Sequence, residues 1–246
     1  MSNIALVTGA SVGIGAATAR ALDNLGYSLV LMARRKDKLD ELAENLKGSP
    51  VNIACDVTDK QQVVDALKQI PVVDVLVNNA GLALGLETAD KTNWDHWQTM
   101  INTNCTALAY LTRQLLPGMV ERNKGHIINM GSIAGTYAYP GGNCYGATKA
   151  FVEQFSMGLR SDLLGTAIKV TNLEPGLIGG TEFSNIRFDG DDAKADATYQ
   201  DCQPMTAQDV ANTVAWLVQQ PAHLNINKIE MMPVCQAPAG LLINRG

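Results

Sequence analysis

The stretch Ile4-Ala-Leu-Val-Thr8, running into Gly9-Ala-Ser-Val-Gly13-Ile-Gly15 and then into Ala16-Ala-Thr-Ala-Arg20-Ala-Leu22, decides how the rest of the chain is read. An apolar run of strand length meets a glycine-rich turn, and an alanine-rich helix follows without a gap. At such a junction the first N–H groups of the helix have no partner within it, and the helix dipole favours an anion. Glycines let the backbone approach that anion closely. Gly9, Ser11, Gly13, Ile14 and Gly15 are therefore the expected cradle for the phosphates of a dinucleotide.

Outward from this turn, short aliphatic runs alternate with longer amphipathic ones. Strands are expected at Ile4–Thr8, Ser28–Ala33, Val51–Ala54, Val75–Asn78, Gly125–Met130, Ala167–Leu173 and Ile226–Met232. Helices are expected at Ile14–Asn24, Lys36–Leu46, Asp59–Gln69, Trp94–Leu116, Tyr145–Leu163 and Thr206–Gln219. Near-continuous apolar strands separated by helices imply a parallel sheet covered on both faces. The expected architecture is α/β: one Rossmann-type, doubly wound domain over residues 1–246, with about seven strands. Residues 176–203 break the alternation with glycines, Asp189-Gly190-Asp191-Asp192 and little periodicity, and are expected to cover the substrate as a lid.

Composition narrows the function classes. The chain has 246 residues, 46% of them hydrophobic and 17% charged, with a formal net charge of −5. Mild acidity without a basic cluster argues against nucleic acid as partner. No apolar run reaches the ~18 to 20 residues of a membrane span. The first residues lack the basic region and apolar core of a signal peptide, so a cytoplasmic location is expected. Five scattered cysteines, Cys55, Cys105, Cys144, Cys202 and Cys235, suggest neither a disulfide framework nor a zinc site. No metal is expected, since no Cys/His ligand cluster is present.

The loops at the strand tips carry the selectivity. An NAD site usually ends its second strand with a carboxylate for the ribose 2′-hydroxyl. Here the strand ends in Met32-Ala33-Arg34-Arg35-Lys36, and Arg34 and Arg35 suit a 2′-phosphate, which makes NADP the expected cofactor. Asp56 and Val57 follow the third strand; Asp56 either bonds the adenine amino group or caps the helix near Asp59. Asn79, Ala80 and Gly81 follow the fourth.

Tyr145 and Lys149 stand four residues apart on one helical face. A free phenol, with a pKa near ~10, is a poor base at neutral pH, and an adjacent cation favours the phenolate. Ser132, thirteen residues upstream, follows the Gly125–Met130 strand and is placed to hold a substrate oxygen. Gly131-Ser132-Ile-Ala-Gly135 is not the G-x-S-x-G of a hydrolase nucleophile.

Thr8-Gly9-x-x-x-Gly13-x-Gly15, Asn78-Asn79-Ala80-Gly81, Asn104, Ser132, Tyr145-x-x-x-Lys149 and Pro175-Gly176 together resemble the motif set of the classical short-chain dehydrogenases/reductases, in order and over the whole chain. The resemblance implies that Tyr145 is the general base in oxidation and the acid in reduction. It implies that Lys149 lowers the tyrosine pKa and bonds the nicotinamide ribose, and that Ser132 polarises the substrate oxygen. Asn104 would hold a water that links the lysine to solvent, and Asn79 would contact the cofactor ribose. Pro175, Gly176, Ile178 and Thr181 would lie in the loop that closes over nicotinamide, with Ile178 offering its backbone to the carboxamide.

The segments Asn78–Gly85, Leu116–Asn129, Tyr145–Phe151, Glu174–Phe188 and Asn225–Val234 are similar to one subgroup, the bacterial NADP-dependent 3-hydroxy acid dehydrogenases. That similarity implies hydride transfer between NADP(H) and C3 of L-allo-threonine, L-serine or 3-hydroxypropionate, with malonic semialdehyde as a reducible partner. Two alternatives remain: a carbonyl reductase for another class, such as a 3-oxoacyl thioester or a sugar ketone, and a catalytically silent NADPH-binding regulator. A carboxylate substrate calls for a cation, and Arg187 in the lid is the candidate. Leu108, Leu111, Phe151, Phe155 and Leu159 give two helices extra apolar positions that a symmetry mate would bury; the family resemblance implies a homotetramer, with the C-terminal strand and tail completing an interface.

Overall fold

In the computed structural model, which describes residues 3–70 and 72–238, seven parallel strands form one sheet. They are β1 (Ile4–Thr8), β2 (Ser28–Ala33), β3 (Val51–Ala54), β4 (Val75–Asn78), β5 (Gly125–Met130), β6 (Ile168–Pro175) and β7 (Lys228–Met231). Their order is β3-β2-β1-β4-β5-β6-β7, so the winding direction reverses between β1 and β4. In open α/β sheets ligands bind at the carboxyl ends beside such a reversal. The glycine turn after β1 and Asn79–Gly81 after β4 flank that point.

Alternation along each strand divides the core. Ala5, Val7, Leu29, Leu31, Val75 and Val77 face α1 (Gly13–Asn24) and α9 (Ala207–Val218), meeting Leu22, Val210 and Val214. Leu6, Val30, Met32, Leu76 and Ile127 face the other side, with Leu111, Met119 and Leu159 from α5 (Leu108–Arg122) and α6 (Asn143–Asp162). Burial on both faces explains why the central strands read as unbroken apolar runs. A row of asparagines interrupts this second layer. Asn78, Asn129 and Asn172 are register partners on β4, β5 and β6. Asn78 donates to Asn129 Oδ1 at 2.8 Å and to Thr112 at 2.9 Å, Asn129 donates to Ser156 at 2.9 Å, and Asn172 donates to Glu174 at 2.6 Å.

Several elements depart from the sequence pattern. The helix expected over Trp94–Leu116 is α4 (Trp94–Ile101), a wide π turn at Asn102–Ala107, and α5, which continues through Pro117 to Arg122. Buried Met119 and the left-handed Asn123 (φ 50°) hold the last turn beyond the proline. The segment 176–203, called the lid after that expectation, is not structureless: Phe183–Arg187 forms α7 and Asp192–Ala197 forms α8, the latter capped by Asp191. Their five and six residues are too few for a periodic signal to register. Asp59 caps α3 (Lys60–Leu67), so Asp56 does not; its Oδ1 accepts from Thr58 N and Oγ1.

Two cysteines depart from the reduced set the sequence suggested. Cys202 and Cys235 form a disulfide, with Cα atoms 6.1 Å apart. Their separation of 33 residues gives no spacing signal; docking of the lid's end on the segment after β7 brings them together. Leu108, Leu111 and Leu159 are buried within the chain and face no outside surface, because the α5–α6 layer consumes them. The C-terminal tail from residue 239 lies outside the described residues.

Candidate active site

A cleft of about 930 Å³ runs across the carboxyl ends of the strands at the reversal, within the range of ligand pockets. It is lined by Gly9, Ser11, Gly13, Ile14, Arg34, Arg35, Asp56, Val57, Asn79, Ala80, Gly81, Ser132, Tyr145, Lys149, Pro175, Gly176, Ile178, Thr181 and Arg187. Gly15 and Asn104, also expected at the site, stand behind its wall.

The glycine turn fits a dinucleotide. Gly9 and Gly13 have φ of 62° and 56°, a region L-residues rarely enter. A Cβ on Gly15 would run into the Gly9 carbonyl. The N-cap of α1, Val12, supplies no side-chain bond, which leaves the helix N-terminus open toward the cleft. Thr8 holds the turn from below: its Oγ1 donates to Val77 O and accepts from Asn79 N and Ala80 N at 3.0 and 2.9 Å. The Asn79 amide donates to Thr8 O at 2.9 Å and Gly9 O at 3.3 Å. Its side-chain donors therefore brace the phosphate turn, where the family resemblance implied a ribose contact. Across the cleft Ile178 bridges Met205 through Leu177 O and Gly179 N. That leaves the N–H and C=O of Ile178 outside the bridge, on a residue that lines the cleft.

The polar centre is carried by α6, whose buried stripe is Tyr145, Thr148, Lys149, Val152 and Ser156. Ser132 caps the short 3₁₀ turn Ile133–Gly135, accepting from Ala134 N at 3.2 Å. Gly146 and Gly135 allow that turn to pack on α6, each leaving no room for a Cβ. Tyr145 is thereby brought near Ser132, whose hydroxyl favours the phenolate and donates to Pro175 O at 3.5 Å. Lys149 Nζ lies 5.7 Å from the Tyr145 ring centre and donates to Met130 O at 2.8 Å. The π turn points Asn104 inward: its Oδ1 accepts from Leu82 N, and its Nδ2 donates to Leu82 O and to Thr148 Oγ1. Thr148 Oγ1 in turn donates to Tyr145 O at 2.8 Å. Asn104 and Lys149 both abut Gly81, where a side chain would meet them.

Burial overrides the expected activation of the phenol. Desolvation pushes Tyr145 up to about 12, opposed by the Ser132 hydrogen bond and the Arg187 charge. The same desolvation brings the Lys149 ammonium down to about 8. In the protein by itself the lysine does not bring the tyrosine below its ordinary value, because both are taken out of water together.

Arg187 approaches Tyr145 from the lid. Its guanidinium lies 5.4 Å from the Tyr139 ring centre and 5.7 Å from that of Tyr145. It donates to Tyr139 OH at 2.7 Å and Gly85 O at 3.3 Å, and makes no ion pair among the described residues. Tyr139, Glu182 and Gln236 also line the cleft, and no motif singles them out individually, though Glu182 lies in the 176–203 segment. Gln236 Oε1 accepts from Leu177 N at 2.8 Å, holding the start of the lid. A buried phenol with a hydroxyl and an ammonium near it, beside a glycine cradle in a dinucleotide-sized cleft, is the arrangement of a nicotinamide-dependent oxidoreductase.

Comparison with known proteins agrees. Residues 3–191 match the short chain dehydrogenase family, and the chain belongs to it. It is 52% identical to the NADP-dependent 3-hydroxy acid dehydrogenase YdfG of Escherichia coli (strain K12) over 98% of this chain and 99% of that one. It is 45% identical to the serine 3-dehydrogenase of Rhizobium radiobacter over 100% and 99% of the two chains. Among solved structures, the closed form of a serine dehydrogenase complexed with NADP+ superposes with a TM-score of 0.97 at 51% identity, covering 99% of this chain and 100% of that one.

Proposed function

We propose that this enzyme transfers hydride between NADP(H) and C3 of small 3-hydroxy acids, L-serine and L-allo-threonine among them, or the matching semialdehydes. The observation that carries this reading is the unpaired Arg187 guanidinium beside Tyr145, which gives a substrate carboxylate a partner next to the acid–base group. The nicotinamide, when bound, accepts or supplies the hydride. Tyr145 takes the proton from the substrate hydroxyl in oxidation and returns it in reduction, and Ser132 bonds the same oxygen. Lys149, held near 8, is able to exchange protons close to neutral pH and so to re-supply the tyrosine. Asn104, whose Oδ1 lies beside Gly81 as Lys149 Nζ does, would hold a water that links the lysine to solvent. A panel of 3-hydroxy acids, semialdehydes, 3-oxoacyl thioesters and sugar ketones, each assayed with NADP(H) and NAD(H), tests the assignment. Preference for a thioester or a sugar would replace it.

The pH dependence follows from the two shifts. Tyr145, raised to about 12, stays protonated throughout the neutral range, so the acid for reduction is in place. The base for oxidation is the minor form, and its fraction rises about tenfold per pH unit. Oxidation kcat/KM is expected to climb steeply between roughly pH 6 and 8, while reduction stays level there and falls above about 8 as Lys149 loses its proton. Initial rates in both directions across that range check this, and a flat oxidation profile would contradict it.

The cellular setting and assembly belong to the same proposal. Among the described residues no helix is long and apolar enough to cross a membrane. A cytoplasmic location fits the three free cysteines, and leaves Cys202–Cys235 open to reduction there. A homotetramer would cover exposed Phe151, Met157 and Leu164, the first stacked on Phe155 at 5.7 Å. Phe151→Asp is expected to yield a smaller species by light scattering, and an unchanged mass would remove this face from the interface.

A further inference from the structure

Three cations follow β2, and the structure gives them different partners. Lys36 pairs with Asp40 one helical turn on. Arg35 makes a two-pronged bond with Glu182, NH1 to Oε1 at 3.2 Å and NH2 to Oε2 at 2.8 Å. Arg34 lines the cleft, exposed, and has no carboxylate partner among the described residues. A guanidinium whose charge and paired fork are taken by a carboxylate is a weaker phosphate ligand than a free one, which offers its full charge and all its donors. Glu182 is carried by the lid and comes from 147 residues away. Its neighbour Thr181 sits against Gly13, where a Cβ would meet its methyl at 3.4 Å. The Arg35–Glu182 pair therefore joins the tip of β2 to the lid across the mouth of the phosphate groove.

With Arg34 as the guanidinium free for the expected 2′-phosphate contact, we propose that its neighbour Arg35 instead forms with Glu182 a strap that slows the departure of either dinucleotide. The inference rests on the dinucleotide reading of the cleft and adds a separate role for each residue. Both strap side chains are 44–45% exposed, so salt and water compete for them and the pair alters a rate only by a few-fold. Charge-assisted bonds from Arg34 to a dianionic phosphate have a larger effect and act on one cofactor alone.

Stopped-flow displacement of bound NADPH and NADH, followed by nucleotide fluorescence, separates the two roles, with equilibrium titrations alongside. Arg35→Gln and Glu182→Gln are each expected to speed release of both cofactors alike, about two- to fivefold, and to lose the salt sensitivity of NADH release expected of the wild type. The double variant Arg35→Glu/Glu182→Arg is expected to bring NADH release back toward the wild-type rate. Arg34→Gln is expected to weaken NADPH about ten- to a hundredfold and NADH little. Selective loss of NADPH in Arg35→Gln would make Arg35 a phosphate ligand and overturn the strap. Tighter NADPH binding in Glu182→Gln would do the same, by showing the carboxylate to be a competitor. Wild-type protein that bound neither nucleotide would overturn the cofactor reading along with it.

Discussion

Tyr145→Phe is expected to lower turnover in both directions by about two to four orders of magnitude while NADPH binding stays within a few-fold of wild type. The change removes one hydroxyl from a ring that is 8% exposed and packed edge-on to Phe183 at 5.9 Å. Phe fills the same space, and Ser132 keeps its bond from Ala134 N, so the site is not expected to collapse. What is lost is the hydroxyl proposed to carry a proton to or from the substrate oxygen. Steady-state rates with a fluorescence titration of NADPH check this. Retention of more than about a tenth of the activity would assign the proton to another group, since general acid–base catalysis accounts for larger factors. It would also reopen the reading of the chain as a cofactor-binding regulator.

The second large effect concerns the carboxylate. Arg187→Ala is expected to raise KM for 3-hydroxy acids by about ten- to a hundredfold, as for loss of a charge-assisted hydrogen bond. A carbonyl substrate of the same size without a carboxylate should show little change in KM. Because the Arg187 charge also favours the Tyr145 phenolate, oxidation kcat should fall as well, and more so at low pH. Reduction needs the neutral phenol and should be spared that part. Equal KM values for charged and uncharged substrates in the variant and the wild type would show that the guanidinium only holds Tyr139 and Gly85.

Local pattern was enough for the strand order's main cue, the Gly9–Gly15 turn, and for the Tyr145/Lys149 face of α6, because each is a contiguous segment with a period of its own. Partners at a distance were not. The Nδ2 donors of Asn79 bond Thr8 O and Gly9 O, a contact set by the β1–β4 pairing that its place in a motif does not announce. The Arg35–Glu182 pair, whose partners lie 147 residues apart, has no local signature either. The π turn that turns Asn104 inward inserts no recognisable residue type, so the helix pattern passes over it. Leu108, Leu111 and Leu159 looked surplus only because the depth of the α5–α6 layer is a tertiary property. The sign of the tyrosine shift depends on burial as well as on the adjacent charge, and burial is not written in a four-residue spacing.

The asparagine row has a consequence for how the sheet assembles. Side chains alternate along a strand, so a slip of one residue in β4 or β5 would swing Asn78 or Asn129 to the α1–α9 side, away from Thr112 and Ser156. There it would meet the aliphatic layer around Val77 and Ile128, stranding an amide at a cost of about 1–3 kcal/mol. Aliphatic strands alone tolerate several alignments of similar energy; the amides act as a key that admits one. The glycine cradle after β1 and the serine after β5 meet across the cleft only when that key has engaged.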